Sequence, residues 1–140
     1  MNTRPKHLRI HTDGAARGNP GPAGAAAILY DPSGARVAEV ARFLGMATNN
    51  VAEYRALLLG LVRARELGAE SVEVVTDSEL LAKQWSGEYR VKSEVLKPLY
   101  EEAKKCAHSF ERVEVRHVRR GSNTEADAAA NRVIDKETGT

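Results

Sequence analysis

Apolar and polar positions along the chain change period several times, and the changes mark its elements. A short strand-compatible run begins at residue 8 and ends in Asp13, where a loop dense in glycine and punctuated by proline follows at once. Residues 23–30 are small and apolar, Asp31-Pro32-Ser33-Gly34 is a strong turn, and residues 35–44 resume strand character, which predicts an antiparallel meander of three strands. The period then becomes helical: residues 51–67 place Leu57, Leu58, Leu61 and Val62 on one face, with Gly68 as the stop. Residues 71–76 form a short strand that runs straight into Asp77, and residues 78–85 read as a helix that Gly87 breaks. Residues 93–107 resume a helical pattern with Pro98 near its first turns. Residues 112–118 alternate Val113, Val115 and His117 against charges, as a strand with one wetter face does, and residues 123–135 close the chain as a helix.

The predicted order is βββαβααβα. Strands joined by helical crossovers lie parallel with right-handed connections, so the first, fourth and fifth strands should be parallel neighbours, with the second and third extending one edge. Sites in open sheets of this kind form beyond the carboxyl ends of the parallel strands. Asp13 and Asp77 are both expected there.

Composition narrows the class. A chain of 140 residues, 42% hydrophobic and 29% charged, is expected to be a single domain, residues 1–140, that buries its own core. The polar start, residues 1–6, lacks the apolar stretch of a signal peptide, and no run approaches a membrane span, so the cytosol is the expected compartment. Cys106 is the only cysteine, which excludes an internal disulfide and a multi-cysteine metal site. The net charge of +2 permits a nucleic-acid partner without requiring one. If several acids are gathered at one place, however, the remaining surface is more basic than the total suggests, which suits a polyanion approaching a negative centre.

Four acids stand where the topology could gather them: Asp13, Glu53, Asp77 and Asp127. Each has a plainer explanation. Asn50 and Glu53 have the spacing of a capping box, Asp77 could cap the helix after it, and Asp127 could be a favourable charge in the first turns of the last helix. Two strand ends and two helix starts can nevertheless point at one place, whereas the plainer account needs four coincidences. Close carboxylates repel, and a hard divalent cation, Mg²⁺ or Mn²⁺, removes the repulsion and completes its shell with water and phosphate oxygens. Two such ions roughly 4 Å apart can activate a water and stabilise a leaving oxygen, with no nucleophilic side chain required. That agrees with the lack of a Gly-x-Ser-x-Gly elbow, a Walker loop or a paired-histidine motif.

At these residues the chain resembles ribonuclease HI along nearly its whole length. The matching motifs are Thr12-Asp13-Gly14 with Gly18-Asn19-Pro20-Gly21-Pro22, Thr48-Asn49-Asn50-Val51-Ala52-Glu53, Thr76-Asp77-Ser78, and Asn123 followed by Ala126-Asp127. The resemblance implies an α/β ribonuclease H-like fold: a five-stranded mixed sheet, three antiparallel strands and then parallel ones, with helices on both faces. It implies endonucleolytic hydrolysis of the RNA strand of an RNA/DNA hybrid by two Mg²⁺ ions, with 3′-hydroxyl and 5′-phosphate ends; the chain's length and its lack of a long apolar surface pattern point to a monomer without an obligate protein partner. By that likeness Asp13 would bridge both ions, Glu53 and Asp77 would hold the leaving-group ion, and Asp127 would help hold the other. Gly14, the backbone at Gly18, Asn19 and Asn50 would face the cut strand, with Thr48 and Asn49 toward the DNA. Such short polar groups suit a reading of 2′-hydroxyls on one strand and their absence on the other.

Three departures from the better-known bacterial members stand out. The chain between Trp85 and Lys97 is too short for the extra helix and basic protrusion that many members use, as in the compact, archaeal-like type. No histidine lies between Val118 and Asn123, where many members carry a mobile one, and Arg120 is the expected substitute, in an electrostatic role because arginine does not shuttle protons near neutral pH. Glu79 stands where glutamine is common, which removes amide donors near the expected RNA strand. His7, His11, His108 and His117 read as strand or surface residues, and Trp85 and Tyr89 fit a helix end against the core as well as a stacking platform. Two other readings stay open: a hybrid-binding module of the same fold without catalysis, and a related nuclease acting on DNA.

Overall fold

The computed structural model describes residues 6–139, so most of the polar start lies outside the described residues. Strands β1 (His7–Ala16), β2 (Gly21–Tyr30), β3 (Arg36–Ala47), β4 (Ser71–Thr76) and β5 (Arg112–His117) form one sheet in the order β3-β2-β1-β4-β5. β2 is antiparallel to both β1 and β3, while β4 is parallel to both β1 and β5, as the connectivity predicts. The helices are α1 (Asn49–Glu66), α2 (Glu79–Trp85), α3 (Leu96–Ala107) and α4 (Thr124–Thr138).

The run of small apolar residues in β2 is explained by burial on both faces. Ala27 and Leu29 join Leu8, Ile10, Leu57, Leu61, Val74 and Leu99 in the larger core under α1 and α3. Ala26 and Ile28 face the other way and pack on Ala129 and Ala130 of α4. Alternating neighbours on one strand thus serve two layers, because successive strand side chains point to opposite faces. No helix among the described residues is long and apolar enough to cross a membrane.

Several expected boundaries move, and four of the shifts have a visible cause. β1 runs past Asp13 to Ala16, since residues 13–16 still pair with β2, although the parallel ladder with β4 stops at Thr12 opposite Thr76. α1 starts at Asn49 because Thr48, not Asn50, is its N-cap, its hydroxyl accepting from the Val51 amide at 3.2 Å. α3 starts at Leu96 rather than at residue 93, and Ser93 instead accepts from the Leu96 amide at 3.2 Å. α4 runs on to Thr138 and ends at Gly139 in the left-handed region, where glycine is favoured. Residues 86–95 carry no helix, so the link from α2 to α3 holds no extra helical handle.

Candidate active site

The end of the parallel ladder fixes the first two acids. Thr12 and Thr76 are in register on β1 and β4, so Asp13 and Asp77 are the next residues on adjoining chain segments, just past the carboxyl end of the parallel ladder. Asp77 does not cap α2; Ser78 does, accepting from the Leu81 amide at 3.1 Å, which leaves the aspartate free for other work. Glu53 comes from the second turn of α1 and does not close a capping box. Its Oε1 instead accepts from the Gly14 amide at 2.6 Å, crossing from helix to strand. Gly14 makes that approach possible, since a Cβ there would overlap the Ala52 carbonyl carbon and the Glu53 nitrogen.

The outcome is a group in which carboxylate oxygens of Asp13, Glu53 and Asp77 all lie within 4.8 Å of one another. Asp127, in the first turn of α4, lies close enough to Asp13 to hydrogen-bond it, and Asn131 donates to the Asp127 carbonyl at 3.0 Å from the next turn. Asp13 is 3% and Glu53 9% exposed, so water cannot screen the repulsion well. Burial first, then the charges of Glu53, Asp77 and Asp127, push Asp13 up to about 9. Burial also pushes Glu53 up to about 8, with the Gly14 amide opposing it, Asp77 adding to it, and Arg120 pulling it down.

Such a site fits hard cations. Asp77 Oδ2 is buried and has no hydrogen-bond partner among the described residues, an orphaned acceptor that a cation would satisfy. The donor set is all oxygen, which favours Mg²⁺ or Mn²⁺ over softer ions.

A stability prediction follows from the two raised acids. Folded Asp13 and Glu53 hold protons that the unfolded chain, with ordinary carboxyls, has lost by about pH 5. Their stabilising contribution is therefore complete below the unfolded values and is lost as pH rises toward 8 and 9. The metal-free protein should melt progressively lower from pH 6 to pH 9, and saturating Mg²⁺ should flatten that slope. Melting curves across the range with chelator and with Mg²⁺ check this.

The residues expected to face substrate lie on the loop after β1 and at the starts of α1 and α2, the elements that carry or follow Asp13, Glu53 and Asp77. The Asn49 side-chain carbonyl accepts from the Ala16 amide at 3.0 Å, and the Asn49 amide donates to Asn19 Oδ1 at 3.0 Å, stitching the loop after β1 to the start of α1. The amide nitrogens of the Asn19 and Asn49 side chains have no partner among the described residues, and Asn50 is exposed. Gly18 has φ +106°, a conformation the tight loop needs and side chains resist. Thr48 serves as the helix cap at the same time. Glu79 is exposed at the start of α2 and pairs with Lys83 at 2.9 Å, so it presents an acceptor and no donor. Arg120 sits exposed on a short 3-10 turn (Arg120–Ser122), near enough to act on Glu53. Trp85 is packed on the core with Lys104 over its ring at 3.9 Å, the plainer of its two readings. A hollow of about 720 Å³ between β3 and α1 contains none of the four acids. They lie instead at the end of the sheet, where a duplex, too thick for a pocket, could reach them.

Sequence alone gave Asn123 no role. It is 1% exposed, donates to the Thr12 carbonyl at 2.8 Å and accepts from His11 Nδ1 at 3.2 Å. Its place in the motif with Ala126-Asp127, directly before a helix, was the signal that the sequence offered.

Comparison with known proteins agrees with this geometry. The family model described as reverse transcriptase-like matches residues 11–133. The bifunctional protein Rv2228c of Mycobacterium tuberculosis is 45% identical over 127 residues, which cover 90% of this chain and 35% of that protein. The chain thus spans about a third of that relative's length. The solved N-terminal RNase H domain of that protein superposes with a TM-score of 0.92 at 42% identity, covering 95% of this chain and 96% of the domain. Ribonuclease HI of Halobacterium salinarum is 39% identical over 129 residues, 91% of this chain and 65% of its own length. LC11-RNase H1, solved in complex with an RNA/DNA hybrid, superposes with a TM-score of 0.90 at 37% identity, covering 94% of this chain and 99% of that one.

Proposed function

The chain belongs to the ribonuclease H family, type 1, and from that premise we propose that it is a divalent-metal-dependent endonuclease that hydrolyses the RNA strand of RNA/DNA hybrids, leaving 3′-hydroxyl and 5′-phosphate ends. The observation that carries the reading is the convergence of Asp13, Glu53 and Asp77, from β1, α1 and the end of β4, on one point beside the asparagine-bearing loops. A module that only gripped a polyanion would gain nothing from acids held this close and this dry. A relative solved with an RNA/DNA hybrid points to the same substrate.

Asp13, Glu53, Asp77 and Asp127 would hold two Mg²⁺ ions, with Mn²⁺ able to substitute. When bound, such ions supply the positive charge that activates water and stabilises the leaving oxygen. The protein's own groups do the rest. Asp13, shared by all the other acids, sets the centre of the site. The Gly18 backbone with Asn19 and Asn50 would face 2′-hydroxyls of the cut strand, and Thr48 with Asn49 would hold the DNA strand, the stitched loop keeping the two readers at a fixed spacing. Gly14 and Glu79 border the same strand. Arg120 would oppose phosphate charge near Glu53 without moving a proton. The same proposal includes a monomer that works in the cytosol without an obligate protein partner.

Incubation with labelled RNA/DNA, RNA/RNA, DNA/DNA and single-stranded RNA, each with Mg²⁺, Mn²⁺ or chelator, tests the reading. Cleavage confined to the RNA strand of the hybrid and abolished by chelator is expected. Cleavage that survives chelation contradicts the metal site, hybrid that is bound but uncut favours the binding module, and cut DNA/DNA favours a DNA nuclease.

A further inference from the structure

Asn123 occupies the N-cap position of α4 but does not cap it. An asparagine there ordinarily turns its side-chain oxygen to an amide of the first helical turn. Here no such bond forms, and the backbone at Asn123 sits at φ −131°, ψ 31°. The side chain is buried and spent elsewhere: Nδ2 donates to the Thr12 carbonyl at 2.8 Å, and Oδ1 accepts from His11 Nδ1 at 3.2 Å, so the His11 ring carries its proton on Nδ1. The backbone of the same residue makes two further links, its amide donating to the Arg120 carbonyl at 3.0 Å and its carbonyl accepting from the Asp127 amide at 3.1 Å. One residue therefore ties together the strand segment just before Asp13, the turn that carries Arg120 and the first turn that carries Asp127. A local preference given up in a buried position marks a place where something else is being held.

We infer that Asn123 is a positioning residue, one that fixes Asp127 against Asp13 at the spacing a metal ion requires. The inference rests on the metal-dependent reading above and deepens it. The amide is suited to the task because it donates to a carbonyl and accepts from a ring nitrogen at once, which no hydroxyl of serine's reach and no carboxylate can do in the same place. Outer groups that orient a ligand are typically worth 10- to 100-fold in metal affinity or activity.

The test uses Asn123→Ser and Asn123→Gly, both acceptable at a helix N-cap, so a mere capping role would leave them near wild type. Each variant is checked by its cooperative melt, then titrated with Mg²⁺ and Mn²⁺ by calorimetry without substrate, and finally assayed on the hybrid. The expected result is a folded protein whose metal affinity falls about 10- to 100-fold. Its kcat should fall by a comparable factor, its KM for hybrid should change little, and excess Mg²⁺ should restore part of the rate. Metal affinity and kcat equal to wild type in a folded variant would overturn the inference. If the wild type cuts no hybrid, the functional reading fails, and the metal titration alone then decides the role of Asn123. If one variant does not fold, the other carries the measurement.

Discussion

Exchanging Asp13 for asparagine should abolish turnover while leaving the fold intact and, in the absence of metal, steadier. Asp13 is the residue on which the other three acids bear, and it sits 3% exposed at the end of the β1–β4 ladder. Asparagine keeps the shape and removes the charge that would hold cations. Losing charge stabilisation worth several kcal/mol implies a fall in kcat on the order of 10³-fold or more. The same change removes an acid whose ionisation is opposed by burial and by the charges of Glu53 and Asp77, so the unfolded chain no longer gains at pH 8 by ionising it. Single-turnover cleavage of hybrid and a melting curve in chelator at pH 8 should show the two effects together: a dead enzyme with an unchanged or higher melting temperature. Turnover near wild type would remove Asp13 from the centre of the mechanism.

The second large effect belongs to a residue without a side chain. In Gly14→Ala the new methyl would meet the backbone of Ala52 and Glu53, and backbone gives way far less readily than a flexible side chain. α1 must move off β1, which breaks the 2.6 Å bond from the Gly14 amide to Glu53 and carries Glu53 away from Asp13 and Asp77. Overpacking of this kind costs about 3 kcal/mol or more. For a chain of this length that is a fall of roughly 10 °C in melting temperature. Activity should fall by more than stability explains, because the variant that does fold has its Glu53 misplaced. A melt and a hybrid assay at a temperature where the variant is fully folded separate the two contributions.

How much of this was legible in the chain depends on whether the signal was local. The element order, the parallel and antiparallel pairings and the placing of Asp13 and Asp77 beyond parallel strands follow from hydrophobic period and handedness, and the sheet order β3-β2-β1-β4-β5 matches them. The misplaced features all depend on tertiary docking. Asn50 and Glu53 have the spacing of a capping box, but Glu53 is claimed by the Gly14 amide and Thr48 takes the cap. Asp77 precedes a helix as a cap would, yet Ser78 does that work one residue later. β1 outlasts its parallel partner because β2 goes on pairing with it, a fact that no window of sequence around Asp13 contains. Asn123 could be seen as a motif residue but not as a strut, since its partners are more than a hundred positions away. Local rules failed where side chains had been diverted to hold the candidate site together.

Calorimetric titration of the wild type and of Asp13→Asn with Mg²⁺, at pH 7 in buffers of differing ionisation heat, tests the central claim most directly. Asp13 and Glu53 hold protons at that pH, raised to about 9 and about 8, and cations bind the deprotonated carboxylates. The account predicts saturable binding by the wild type with protons released to the buffer, and loss of both in the variant. A wild type that shows no saturable heat, or a variant that binds as the wild type does, would contradict it.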